Sequence, residues 1–288
     1  MAKLCYITTC KGRLAHLKQT LPRIVAQPDV SCVVVDYSCP DKTADWVAAN
    51  FPQVRLVRVR GEEQFNLARA RNLGAQAADA PWLGFFDADI LLDADFASEV
   101  MPRLTAGFFY RANPVTSQTW GSIVCHIDDF TAVGGYDETY VGWGGEDDDL
   151  IALLTLAGKR VAGIPARLLD EIPHSDEQRV QFKQLKDRWV QSRINQLYLQ
   201  IKIDLLRLLG QPLSAEERRA IFGEISRTVM LGESGNRLAP QSIEINLPGA
   251  AIGSLPGNGT AESTRLQRKL TYTYSIDGAV ANAEQAGN

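Results

Sequence analysis

Trp82-Leu83-Gly84-Phe85-Phe86-Asp87-Ala88-Asp89 is the stretch on which the fold turns, because an apolar run of strand length ends here on two acidic residues spaced two apart. Side chains alternate between faces along an extended chain, so if the strand persists Asp87 and Asp89 leave on the same side and address one ligand together. Upstream, strand-like and helix-like patterns take turns: Leu4 to Thr9, Leu14 to Ala26, Cys32 to Asp36, Thr43 to Asn50, Val54 to Val59 and Leu67 to Ala78, before the strand Trp82 to Asp87. Strands interleaved with helices in this way imply an α/β fold, a mostly parallel sheet flanked by helices. Ligands of such sheets sit beyond the carboxyl ends of the strands, where this chain places Thr8, Thr9, Asp36 and the Asp87/Asp89 pair. A nucleotide pocket is expected there. No Gly-x-Gly-x-x-Gly follows the first strand and no P-loop pattern occurs, so a nucleotide is held by other means.

Paired carboxylates at a strand end suit a hard divalent cation, which takes oxygen ligands and keeps bonds to substrate phosphates. One carboxylate then binds the metal and its neighbour the metal's waters or a ribose. The plainer reading is an acidic strand-to-loop turn, since Asp is a common turn residue. The string FFDADIL also fits the nucleophile loop of haloacid-dehalogenase-like phosphatases, although that loop usually follows the first strand and here three strands precede it.

The chain has 288 residues, 45% hydrophobic and 22% charged, which suits one large globular domain plus an appendage. A formal charge of −4 gives no electrostatic reason to expect nucleic acid, and no apolar run approaches the roughly 20 residues that span a bilayer. The opening MAKLCYITTC runs straight into a strand without the apolar core of a signal peptide, so a cytoplasmic location is expected. The five cysteines, Cys5, Cys10, Cys32, Cys39 and Cys125, are odd in number and lack metal-ligand spacing, which argues for reduced thiols.

Further on, Gly142 to Asp149 reads GWGGEDDD and places a hinge, an aromatic face and several carboxylates side by side. The glycines admit backbone angles closed to other residues. Trp143 offers an apolar ring for a pyranose, and the acids supply acceptors and a base for a sugar hydroxyl. The alternative is that Glu146 to Asp149 cap a helix continuing through Leu150, Ile151, Leu153 and Leu154, negative charge meeting the positive end of its dipole. Successive helical residues diverge by about 100°, so these acids do not all face one acceptor.

GWGGEDDD, together with FFDAD at Phe85 to Asp89 and His174 in EIPHSD, resembles the galactosyltransferase branch of the nucleotide-sugar transferases with the GT-A fold. The likeness to the β-1,4-galactosyltransferases runs from about Gly134 through Ser175, whereas residues 1 to 90 look like the broad family 2 glycosyltransferases. The resemblance implies a metal-dependent, inverting transfer of a hexose from a nucleotide-diphosphate sugar, a UDP-sugar of galactose type, to a hydroxyl of a saccharide or other acceptor. It makes Asp147 the catalytic base and gives acceptor contacts to Trp143, Gly144, Glu146 and Asp148. The nucleotide sugar falls to Thr8, Asp36, Arg71, Asp87 and Gly121. Asp36 then accepts from uracil or ribose, with capping of the following helix as its alternative, and Arg71 meets phosphate or base, with a solvated helix charge as its alternative. A Mn²⁺ or Mg²⁺ ion is assigned to Asp89, to His174, and to Glu171, which stands where the family has a methionine. Gln118 falls where the family selects its sugar and has an aromatic or aliphatic residue, which leaves the sugar open. His16 and His126 read as structural. A non-catalytic nucleotide-sugar- or carbohydrate-binding protein is the alternative from another class, against which the intact set Asp87, Asp89, Asp147 and His174 weighs.

The domain reading is a GT-A catalytic domain over 1–175, with a nucleotide-binding half at 1–90 and an acceptor half at 91–175, followed by a helical extension and tail over 176–288. Apolar spacing from Phe182 through Leu209 reads as a long amphipathic helix, and Ser214 to Met230 as another, opened by the capping box Ser214-Ala-Glu-Glu217. Residues 231–264 are rich in Gly, Pro, Ser and Asn, Leu270 to Ile276 alternates like a strand, and 278–288 reads as a frayed tail.

Overall fold

The computed structural model describes residues 2–173, 181–183, 185–236, 238–255 and 262–276. His174, assigned to the metal from sequence, lies outside the described residues. The chain falls into two compact units, Met1–Asn195 and Gln196–Asn288, so the boundary expected after 175 lies inside the first.

In the first unit, β1 (Leu4–Cys10), α1 (Leu14–Val25), β2 (Val30–Tyr37), α2 (Thr43–Asn50), β3 (Arg55–Val59), α3 (Leu67–Ala77) and β4 (Trp82–Phe85) follow one another as the hydrophobic pattern requires. A short β5 (Ile90–Leu92), α4 (Phe96–Val100), β6 (Phe108–Asn113), β7 (Ile123–His126), α5 (Ile127–Ala132), α6 (Glu146–Leu156), β8 (Arg160–Pro165) and β9 (Leu169–Glu171) complete it. Seven strands form one sheet in the order β3-β2-β1-β4-β7-β6-β8. Pairings are parallel except where β7 runs antiparallel between β4 and β6.

Every residue of β1 is buried, as a central strand covered on both faces demands. Leu4, Tyr6 and Cys10 face a core shared with Leu17, Leu21 and Ile24 of α1, while Cys5 and Ile7 face one shared with Ala68 and Ala75 of α3 and Leu150 and Leu154 of α6. The first core also takes in Val47 of α2 and Phe96 and Val100 of α4, so α1, α2 and α4 pack on one side of the sheet and α3 and α6 on the other. His126 accepts a hydrogen bond from the Asp128 amide and caps α5, the structural role its sequence indicated. Among the described residues no helix is long and apolar enough to cross a membrane.

Two expectations need correction. The strand bearing the acidic pair stops at Phe85: the Phe86 amide makes the last bond to the Ile7 carbonyl, and the Ile90 amide then closes a turn on the Asp87 carbonyl at 3.0 Å. Strand alternation therefore does not place Asp87 and Asp89. The extension is not helical throughout. Its helices, Arg188–Leu209 and Ala215–Ser234, are followed by an antiparallel hairpin of Gln241–Leu255 with Glu262–Tyr274. The capping box at Ser214 forms in both directions. The hairpin's first strand buries Ile243, Ile245 and Leu247 and exposes the residues between them, a period-two pattern masked by the surrounding glycines and prolines.

Close approach of α3 to the sheet depends on Gly74, where a Cβ would collide with Ile7 Cγ2 and come within 3.2 Å of Val35 Cγ2. In an unhindered helix interior, replacing glycine by alanine gains about 1 kcal/mol. Overpacking a tight core costs about 1–3 kcal/mol. Gly74→Ala is therefore expected to lower stability by roughly 1–2 kcal/mol, read as a reduced urea midpoint with unchanged slope. A midpoint at or above that of the parent chain contradicts the tight seat of α3.

Candidate active site

Arg71 lies on the sheet-facing side of α3 and is only 1% exposed, an extreme burial for a guanidinium. Its Nη1 donates to Asp147 Oδ1 at 2.6 Å and its Nη2 to Asp87 Oδ1 at 2.9 Å. Glu146 Oε1 stands 4.0 Å from Nη1, and the ring of Tyr136 lies 5.0 Å from the guanidinium carbon. One buried cation thus joins the turn after β4 to the first turn of α6. The solvated-charge alternative for Arg71 is overturned by this burial, whereas Arg69, which pairs with Glu62, is half-exposed.

Asn72, the next residue of α3, fixes the opposite wall by donating to the Tyr136 carbonyl and accepting from the Tyr136 amide. The Tyr136 hydroxyl reaches Asp147 Oδ1 at 3.5 Å. Gly121 lies close against the pair, because a Cβ there would stand 2.9 Å from both Arg71 Nη2 and Asp147 Oδ2. Any side chain at 121 would wedge apart the ion pair.

Gly145 is the N-cap of α6, at φ 96°, and no side chain caps the helix there. Asp147 is held by Arg71 rather than by backbone amides, so simple helix capping does not account for it. Asp148 turns away and accepts from Trp120 Nε1 at 2.8 Å. Trp120 is itself stacked 4.6 Å from the Arg111 guanidinium. Glu146 and Asp149 are buried. Trp143 and Gly144 present their carbonyls to Asn195 Nδ2 at 3.2 and 2.6 Å, and the Trp143 ring lies 4.9 Å from Arg188. The positive φ of Gly142, Gly144 and Gly145 makes this path closed to other residues.

The electrostatics set Asp147 apart from an ordinary carboxylate. Burial, opposed by Arg71 and reinforced by Glu146, Asp87 and Asp148, pushes Asp147 up to about 7. Asp89 is likewise pushed to about 7, first by burial and then by Asp87, with Glu171 adding to the crowding. Glu171 reaches Asp89 because β5 and β9 pair with Ile90 opposite Glu171, and the Ile172 amide donates to the Asp89 carbonyl at 2.9 Å. A carboxyl crowded by neighbouring carboxylates in this way is a donor that a hard divalent cation stabilises. Among the described residues no group of three or more His, Cys, Asp and Glu side chains is close enough to hold a metal.

Asp36 is placed by the structure in the capping role its sequence left open: Oδ1 accepts from the Cys39 amide at 2.8 Å and Oδ2 from the Ala44 amide at 2.6 Å. It borders an open recess of about 290 Å³ beyond β2 and β3, lined also by Ser38, Cys39, Lys42, Arg58 and Arg60. Thr8 is buried, and its Oγ1 has no hydrogen-bond partner. Sequence reasoning missed Tyr136, Trp120, Arg111 and Lys183. Lys183 is buried and donates to the Phe65 carbonyl at 3.1 Å; burial, opposed by Glu146, lowers it to about 8. Only Trp120 carried a signal, an aromatic directly before Gly121.

Two family models match the chain: residues 5–122 fit the one described as glycosyl transferase family 2, and residues 107–175 the one described as N-terminal domain of galactosyltransferase. Beta-1,4-galactosyltransferase 3 of Homo sapiens is 27% identical over 181 residues, covering 54% of this chain and 44% of that protein. Beta-1,4-galactosyltransferase 5 of Danio rerio is 31% identical over 140 residues, covering 44% of this chain and 36% of that protein. Validoxylamine A glucosyltransferase of Streptomyces hygroscopicus subsp. jinggangensis is 25% identical over 202 residues, 48% of each. The chain spans less than half the length of these curated relatives. Among solved structures, S. aureus TarS 1-349 in complex with UDP-GlcNAc superposes with a TM-score of 0.55 at 11% identity, covering 77% of this chain and 72% of that one. The mannosyltransferase PcManGT of Pyrobaculum calidifontis, in complex with GDP-Man and Mn²⁺, gives 0.53 at 16% identity, covering 81% and 74%. The fold is the GT-A fold, as expected from sequence.

The raised carboxyl of Asp147 carries a stability signature. A carboxyl whose folded pKa lies above its unfolded value of about 4 binds more protons when folded, so its stabilisation is present at low pH and is lost as pH rises through about 7. Relative to Asp147→Asn, the parent chain is expected to lose stability from pH 4.5 to 6.5, by up to about 1.4 kcal/mol per pH unit. Comparing the two chains cancels every other titrating group to first order. A difference that stays flat over this interval shows an ordinary or lowered carboxyl instead.

Proposed function

We propose that this chain, which joins a glycosyl transferase family 2 domain to a galactosyltransferase domain, is a metal-dependent inverting glycosyltransferase. It transfers a hexose from a nucleotide-diphosphate sugar, UDP-linked and of galactose type, to the hydroxyl of a saccharide or other acceptor. The observation that carries the reading is the single constellation in which Arg71 ties Asp87, from the first matched region, to Asp147, from the second. A non-catalytic sugar-binding protein has no need to bury a carboxyl, hold it by one oxygen and raise its basicity.

Asp147 acts as the base. Its Oδ1 is engaged by Arg71, which leaves Oδ2, on the Gly121 side, to accept the proton of the acceptor hydroxyl. As that proton leaves, the acceptor oxygen bonds to the anomeric carbon from the face opposite the nucleoside diphosphate, the bond to the diphosphate breaks, and the configuration inverts. A pKa near 7 matches the proton-transfer demand at neutral pH far better than one near 4. Trp120 and Trp143 supply apolar faces for sugar rings, and Glu146 and Asp148 accept from acceptor hydroxyls. Thr8, Asp36 and Asp87 line the donor side. Asp89 and Glu171, with His174, would hold a Mn²⁺ or Mg²⁺ ion; when bound, it offsets the charge developing on the leaving diphosphate.

Two readouts test this together. UDP with Mn²⁺ at about a hundredfold excess over its dissociation constant should stabilise the fold by roughly 2.7 kcal/mol, and chelator should abolish the shift. Asp147→Asn should bind UDP within a few-fold of the parent while turnover of the best nucleotide sugar falls by about 10² to 10⁴. An undiminished UDP shift in chelator removes the metal from the proposal. Near-normal turnover in the correctly folded variant removes Asp147 as the base.

A further inference from the structure

At the opposite edge of the same strand ends lies a sulfur pair that the transfer chemistry does not use. Cys10 is the last residue of β1 and Cys39 sits in the turn after β2, with their Sγ atoms 4.0 Å apart. Three donors converge on the Cys39 sulfur: the Gly12 amide at 3.1 Å, the Thr43 hydroxyl at 3.1 Å and the Cys10 thiol. The Cys10 thiol and the Thr43 hydroxyl are also 3.2 Å apart, so the cluster is a closed hydrogen-bonded triangle at the end of the sheet. Cys10 and Thr43 are fully buried, whereas Cys39 is half-exposed and lines the open recess beyond β2 and β3.

We propose that Cys39 and Cys10 form a hydroperoxide-reactive thiol site, with Cys39 as the attacking sulfur and Cys10 as the resolving one, closing to a disulfide. The Cys39 sulfur attacks the distal oxygen of the hydroperoxide, the O–O bond breaks, and the alcohol or water departs with a proton from solvent, leaving a sulfenic acid. The Cys10 sulfur then attacks that sulfur, an S–S bond forms as the S–O bond breaks, and the Cys10 proton leaves with the hydroxide as water. In sum, two thiols and one hydroperoxide give one disulfide, one alcohol and one water.

The two cysteines are unequal in the sense this division of labour requires. The hydrogen bond from Cys10, helped by Thr43 and Gly12 against the opposing effect of burial, brings the Cys39 thiol down to about 6, so it is a thiolate at neutral pH. The same contact and burial hold Cys10 well above its ordinary value, so it waits as a thiol. Cys5, Cys32 and Cys125 are buried with raised pKa values and do not compete. Bond formation draws the sulfurs from 4.0 Å to about 2.05 Å, and it pulls on a turn whose Cys39 amide donates to Asp36.

The test treats the folded chain with excess hydrogen peroxide at neutral pH, alkylates it in denaturant without reductant and reads the intact mass. Reduced protein should carry alkyl groups on all five cysteines and oxidised protein on three, the oxidised count rising to five when dithiothreitol precedes alkylation. Cys10→Ser should stop the disulfide and leave Cys39 as a sulfenic acid trapped by dimedone, and Cys39→Ser should give neither product. Five alkylated cysteines after peroxide overturn the site, as does a disulfide that persists in either variant. The parent chain alone suffices for the first reading, so a variant that fails to fold does not leave the question open, and neither result depends on glycosyl transfer.

Discussion

A guanidinium with almost no access to water cannot lower its charge by losing a proton, so the chain around Arg71 has to supply negative partners. Asp87 and Asp147 do so from opposite sides, and everything near them follows from that demand. Gly121 is bare because a side chain would part the pair. Gly74 is bare because α3 has to lie close on β1 and β2 to carry Arg71 to the strand ends. Asn72 anchors the Tyr136 wall one residue further along the same helix. Removing one partner of such a buried pair typically costs about 3–5 kcal/mol, because the remaining charge stays buried and uncompensated.

The proposed transfer asks two kinds of carboxylate chemistry of one site. Asp147 is buried among acids with Arg71 opposing them, and the balance raises its carboxyl to about 7. Asp89 is raised first by burial and then by Asp87, with Arg13 opposing, and a divalent cation relieves crowding of this kind. The two acids are separated in role by which of them Arg71 touches.

The first ninety residues were legible because their periodicity is set by burial on both faces of a parallel sheet, and α1, α2 and α3 begin at Leu14, Thr43 and Leu67 as read. The end of β4 was not, because the turn at Asp87 is made by a backbone bond to Ile90, which leaves no compositional mark. Asp147 and Asp87 were nameable from their motifs, but their common partner was not: nothing in FNLARARNLG distinguishes the buried Arg71 from the half-exposed Arg69 except the half-turn of helix between them. Lys183 and Tyr136 reach the site through tertiary packing alone. The hairpin's first strand, from Gln241, was hidden by glycine and proline although Ile243, Ile245 and Leu247 alternate as an inward face must, whereas the end of its second strand was read in the alternation from Leu270.

If Arg71 joins the two matched regions into one site, its contribution to turnover runs through Asp147 and the two cannot be removed independently. A double-mutant cycle on nucleotide-sugar turnover with Arg71→Met, Asp147→Asn and the combined variant measures that coupling. The account predicts that the combined variant is no slower than the worse single variant, with a coupling of about 2 kcal/mol or more in the activation free energy. Losses that simply add, in chains that fold and bind UDP, would contradict it and return Arg71 to a structural role separate from the base.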